Sequence, residues 1–208
     1  HLATPRMPLV PMLRMLVADR NHQRAFVLSA LMVSGSFTVI PYITLYMQGN
    51  AGLRAEQIPA IYLCGGVATL ITARLIGRLA DRRGKLRSFR WLVLLAIVPT
   101  LGVTVSAGLP LPGILVLTTL MFVLSSGRMI PGMALVTAAA QPAQRGAFMT
   151  LQGSVQSAAI GLASLVGGQL IHRDPSGQLA GYWLAALVGA AASVAAWWLA
   201  PRLRLHDA

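Results

Sequence analysis

Acidic side chains are scarce in this 208-residue chain: five Asp and Glu stand against seventeen Lys and Arg, giving a formal net charge of +12. Charged residues of both signs make up only 11%, well below the roughly 25% of an average soluble domain. With 56% hydrophobic residues and a mean hydropathy of +0.68, the apolar surface is too large for a soluble fold to hide. A basic excess would point to nucleic acid if the cations ran along one face or one helix. They fall instead in short clusters between long apolar runs, the pattern of cytoplasmic loops on a membrane protein. No nucleic-acid partner is expected.

Cysteine is scarcer still. Cys64 is the only one, which excludes a disulfide framework and a Cys-based metal site; lying inside an apolar run, it is expected to pack as a small hydrophobe. His22, His172 and His206 lie at ends or in loops. No cluster of His, Asp, Glu or Cys, no nucleophile triad and no phosphate-binding loop is present, so no catalytic residue, metal or cofactor is expected, and an enzyme is disfavoured. The chain opens on His1, and its first stretch lacks the apolar core and small-residue cleavage pattern of a signal peptide. It is therefore expected to be part of a longer chain.

What is present is a set of six apolar segments, at 25–47, 58–77, 91–108, 113–138, 147–171 and 179–200. Each approaches the roughly 20 residues needed to cross about 30 Å of hydrocarbon. The predicted organisation is a cytoplasmic linker over 1–24, a six-span bundle over 25–200 and a cytoplasmic tail over 201–208. Orientation follows from the loop cations. Arg6, Arg14, Arg20 and Arg24, then Arg78, Arg82, Arg83, Lys85, Arg87 and Arg90, then Arg145, Arg202 and Arg204 share one side, thirteen in all, against Arg54 and Arg173 on the other. Positive loops are retained in the cytoplasm, so both termini are predicted there. Trp91 and the pair Trp197 and Trp198 fall at the basic ends of their spans and Trp183 at the opposite end, as interfacial rings should.

Polarity ranks the spans. The third and sixth are nearly all apolar, the sixth carrying only Tyr182 and Ser193, and are expected to face lipid. The first (Ser34, Thr38, Tyr42, Tyr46), fourth (Ser125, Ser126, Arg128) and fifth (Gln152, Ser154, Gln156) carry groups that need partners or a wet cavity, so they are expected to line a path. Candidate pathway residues are Tyr42, Tyr46, Ser125, Arg128, Gln152 and Gln156. Arg128 lies at a depth that costs at least about 2.5–3.5 kcal/mol. Two readings are open for it: a cation in a hydrated interior beside Ser125, or a side chain that snorkels or satisfies carbonyls freed by Pro131. Pro41 is expected to kink the first span. Gly153, Ser157 and Gly161 form a small-residue stripe suited to a neighbouring helix. Asp19, Glu56, Asp81, Asp174 and Asp207 all lie at loops or ends, so a coupling proton would need a carrier elsewhere.

Between the second and third spans runs Gly77-Arg78-Leu79-Ala80-Asp81-Arg82-Arg83-Gly84-Lys85. Gly77 permits close helix approach, Gly84 a tight reversal, and Asp81 is placed to engage cations or a helix N-terminus. The segment resembles the G-x-L-a-D-r-x-G-r/k loop of the major facilitator superfamily, found at the matching place in both six-span halves. Arg128-Met129-Ile130-Pro131-Gly132-Met133-Ala134 is similar to that family's R-x-x-q-G-x-g-a motif, with Pro131 in place of Gln. The stretches 58–66 and 141–149 resemble the second half of drug-efflux or sugar-efflux members.

The resemblance implies an all-α membrane protein: six transmembrane helices, two inverted three-helix repeats, one half of a twelve-helix bundle. It further implies transport by alternating access, most simply efflux of a drug-like compound or sugar across a bacterial inner membrane. Gly77, Asp81, Arg82, Gly84 and Lys85 would form the conformational loop. The implied partners are a small-molecule substrate, the lipid bilayer, an N-terminal six-helix half and a coupling proton. Uptake by the same family, or a receptor-like bundle that moves no cargo, are the alternatives.

Overall fold

The computed structural model describes residues 9–206. Helix α1 (Leu9–Ala18) and helix α2 (Arg20–Phe37) meet at Asp19. The Asp19 carboxylate accepts the amides of Asn21 at 2.6 Å and His22 at 3.1 Å and so caps α2. The described part of the expected linker is thus helical, and the first pass begins inside it, at Arg20. That pass is broken: α2 ends before Thr38, a 3-10 turn covers Ile40–Tyr42, and α3 (Ile43–Gly49) carries the chain onward. Pro41 causes the break, because it has no amide to return to the Phe37 carbonyl.

The remaining passes are α4 (Ile58–Arg83), α5 (Lys85–Val103), α6 (Leu111–Gly127) with α7 (Met129–Ala138), α8 (Arg145–Leu170) and α9 (Tyr182–Leu199). α6 and α7 form one pass interrupted at Arg128, since Pro131 leaves the Gly127 carbonyl without its i+4 donor. Helical bonding resumes at once, from the Gly132 amide to the Arg128 carbonyl at 3.1 Å. Among the described residues five passes are long and apolar enough to cross a membrane. α8 qualifies by length, its 26 residues spanning about 39 Å at 1.5 Å per residue, but its glutamines, serines and glycines lower its hydropathy. Between α8 and α9, strands β1 (His172–Arg173) and β2 (Leu179–Ala180) pair antiparallel. Asp174 organises this hairpin by accepting the amides of Ser176 and Gln178 and the Ser176 hydroxyl.

The helix pairing is reciprocal. The first pass packs on α8 and α9, the second and third of the later set; α6 packs on α4 and α5, the second and third of the earlier set; and α5 packs on α9. A two-fold axis relating the two three-helix sets requires this pattern. The core falls into two clusters. One, towards the basic end, includes Leu28, Met32, Phe89 and Phe148; the other includes Val39, Ile43, Ile61, Met121 and Tyr182.

α5 and α9 bury one side and expose Trp91, Leu94, Leu95, Val98, Trp183, Leu187 and Trp198 on the other, but the most open helix is α4, through Leu63, Val67, Leu70, Ile71 and Leu75. Cys64 is exposed among these. Expected to pack as a small hydrophobe, it packs against none of the described helices, because an apolar outer face and an apolar interior read alike in the sequence. The small-residue stripe departs from expectation too. No described atom lies within 4 Å of a Cβ built at Gly153 or Gly161, and Ser157 is exposed. α8 packs instead through Gln152, Ala159, Ala163 and Gly167, a face set by three- and four-residue steps.

Candidate functional site

Two proline-broken passes meet at Arg128. The side chain leaves the α6–α7 junction and passes between α2 and α9, where it is 2% exposed. Nη1 donates to Ser193 Oγ at 2.7 Å; Nη2 donates to Ser36 Oγ at 2.8 Å and to the Met32 carbonyl at 3.1 Å. Ser36 and Met32 belong to the last turns of α2, just ahead of the Pro41 break. Ser193 Oγ passes its own proton to the Gly189 carbonyl at 2.9 Å. Its lone pairs are thereby turned toward the guanidinium.

Room for this crossing comes from two glycines. A Cβ at Gly35 would sit 2.8 Å from Arg128 Nη2, and one at Gly189 would sit 2.6 Å from Thr38 Oγ1. Both contacts are shorter than packed atoms tolerate. No carboxylate lies within 4 Å of the guanidinium among the described residues, and Nε has no partner. Hydroxyl and carbonyl dipoles therefore stabilise the charge, and charge-assisted bonds of this kind contribute about 1.5–3 kcal/mol each.

The other candidates divide by surroundings. Ser125 is buried, yet Arg128 bonds elsewhere. The Tyr42 hydroxyl donates to the Ser164 carbonyl at 2.5 Å and ties the first pass to α8. Tyr46 is buried with its ring centroid 4.8 Å from that of Tyr182; the Tyr182 hydroxyl donates to the Val39 carbonyl. Gln152 is buried and donates to Ser29 Oγ at 2.7 Å and to Gln156 Oε1 at 3.4 Å; Gln156 is half-buried. The structure thus joins Arg128, Gln152 and Tyr42 through the first pass, and keeps Tyr46 on the far side of its break. Sequence reading missed Ser36, Ser193, Gly35, Gly189 and Ser29. Ser193 carried a signal, being the one serine within an otherwise nearly apolar helix.

The segment expected as a loop is mostly helix. Gly77, Asp81 and Arg82 lie in the last turns of α4, Lys85 opens α5, and Gly84 alone separates them, with a φ of +88° that only glycine adopts without strain. Asp81 and Arg82 are exposed, and Asp81 has no ion-pair partner within 4 Å among the described residues. Nothing described lies within 4 Å of a Cβ at Gly77. The close approach expected at this glycine does not occur within these helices.

Comparison with known proteins gives three findings. The model of the Major Facilitator Superfamily matches residues 6–207. A search of curated proteins finds no match. Among solved structures the fold is similar to "Crystal structure of a bacterial homologue of iron transporter ferroportin in outward-facing state", with a TM-score of 0.70 at 20% identity, over 98% of this chain and 49% of that one. The chain spans about half the length of that solved protein.

Proposed function

The chain belongs to the major facilitator superfamily, and from that premise we propose that it forms one six-helix half of a transporter that exports a drug-like compound or a sugar by alternating access. The supporting observation is the pair of interrupted helices. Pro41 breaks the first pass of one three-helix set and Pro131 the first pass of the other; in secondary transporters, interrupted segments at corresponding positions accompany the cargo site. Arg128 ties the two together, so a change in one is felt by the other.

In this reading an N-terminal six-helix half covers the open sides of α4 and α8, and the cargo lies between the halves. The basic end faces the cytoplasm and the membrane is a bacterial inner membrane. Export is supported by the likeness of 58–66 and 141–149 to efflux members. A coupling proton would need its carrier in the other half, since the acids inside the described passes are Glu56 and Asp81, at the two exposed ends of the second pass. The reading assigns no chemical reaction and no cofactor.

The test is flux by the full-length protein in proteoliposomes, with a panel of lipophilic cations and sugars. Protein-dependent loss of one class from loaded vesicles, reduced by Arg128→Ala, supports export. Accumulation from outside favours uptake, and saturable binding with no flux in either direction favours a receptor; either result overturns the proposal.

A further inference from the structure

On the outer side of the bundle, at its basic end, α5 and α9 enclose a groove of about 420 Å³ lined by Leu86, Arg87, Arg90, Trp91, Leu94 and Trp197. A second hollow of about 320 Å³ lies on the other side of Trp91 and adds Arg83. A third, of about 340 Å³, lies beyond Trp197 and adds Trp198 and Arg202. Four arginines and three tryptophans therefore line one continuous band, and among the described residues no acid lines any of the three hollows.

The cations are held ready for an acceptor. The Arg90 guanidinium lies 3.9 Å from the Trp197 ring centroid and that of Arg202 lies 3.1 Å from the Trp198 centroid. Stacking fixes each plane on an aromatic face; Arg202 Nη1 already donates to the Trp198 carbonyl, so Arg202 offers only its remaining N–H groups to an oxygen. Arg90 Nε is buried without a partner among the described residues, and Arg87 is exposed. One turn further along α5, the exposed Leu94, Leu95 and Val98 begin an apolar strip, while Trp91 and Trp198 are each 60% exposed at its head. Aromatic rings of this kind sit at the boundary between hydrocarbon and headgroups.

We propose that this band is a binding site for an anionic glycerophospholipid of the adjoining leaflet. The phosphate lies against Arg87 and Arg90, with Arg83 and Arg202 at either side, and the acyl chains run along Leu94, Leu95 and Val98. Basic pockets between transmembrane helices recognise such headgroups. The apolar strip selects a lipid over a free anion, because a soluble phosphate would use the arginines and leave the strip without a role.

The experiment is native mass spectrometry of the detergent-solubilised full-length protein, titrated with phosphatidylglycerol or with phosphatidylethanolamine at equal concentration. Phosphatidylglycerol adducts should dominate. Arg87→Gln should weaken them about fivefold and the double variant Arg87→Gln with Arg90→Gln about twenty-five-fold, one increment per cation removed; Arg78→Gln, at the same end but outside the band, should leave them unchanged. Equal retention of the two lipids overturns the site, as does wild-type retention in Arg87→Gln, whose exposed side chain makes no bond that folding needs. Displacement of phosphatidylglycerol by millimolar inorganic phosphate would show a free-anion site and overturn the lipid assignment.

Discussion

Arg128 and Ser193, sixty-five positions apart in the chain, are joined by a buried hydrogen bond of 2.7 Å from Nη1 to Oγ. The serine hydroxyl is committed in turn to the Gly189 carbonyl. Ser193→Ala leaves a buried cationic N–H unsatisfied, at a cost of about 1–3 kcal/mol. Arg128→Lys keeps the charge but loses the planar fork that reaches α2 and α9 together, so it is expected to lose nearly as much flux and thermal stability as Arg128→Ala. Melting curves in detergent and proteoliposome flux check both; a fully active Arg128→Lys would reduce the residue to a point charge.

The backbone crossing of α2 and α9 has no spare room. Gly35→Ala places a methyl group 2.8 Å from Arg128 Nη2, and overpacking of this kind destabilises by about 1–3 kcal/mol. A lower melting midpoint for Gly35→Ala and for Gly189→Ala is the expected outcome. An unchanged midpoint for either would mean that the helices separate freely.

Acid should weaken the start of the first pass. Burial by itself raises the Asp19 carboxyl, but the amide hydrogen bonds from His22 and Asn21 outweigh it and hold the group below its ordinary value. A lowered native value means that the cap contributes fully above the unfolded pKa of about 3.9 and is lost as pH falls through the native value. The stability difference between wild type and Asp19→Ala should be constant above about pH 5 and shrink below about pH 4. A pH-independent difference would remove the carboxylate's charge from the account.

Topology can be read at the α4–α5 joint. In a Cys64→Ala background, Arg82→Cys places a thiol at an exposed position near Gly84. An impermeant maleimide should fail to label it in intact cells and should label it after permeabilisation. Labelling from outside would invert the predicted orientation.

Asp81→Asn should leave thermal stability of the full-length protein close to wild type, since Asp81 is exposed and has no ion-pair partner among the described residues. Flux per folded molecule should fall, because an acid at the α4–α5 joint is expected to bias the balance between conformations. Wild-type flux would leave Asp81 without a conformational role.

Hydropathy made the passes legible, and chain chemistry made their breaks legible: Pro41 and Pro131 interrupt helices because neither has an amide. Loop cations were legible as clusters, but not which of them would stack on tryptophan, since Arg90 and Trp197 come from different helices. The partners of Arg128 were hidden for the same reason; Ser36 and Ser193 are ordinary serines until packing brings them to one guanidinium. The β1–β2 hairpin was missed because strands of two residues leave no periodicity. Cys64 was misplaced because a membrane removes the contrast between inside and outside on which burial arguments depend.

Gly84 leaves α4 and α5 joined by a single residue, so the two helices share one joint. Its φ of +88° sets the opening angle, and any tilt of α4 must swing α5 or twist that one joint. Arg83 ends one arm and Arg87 lies in the first turn of the other. The anionic lipid proposed above would then lie across the joint, against a cation from each arm.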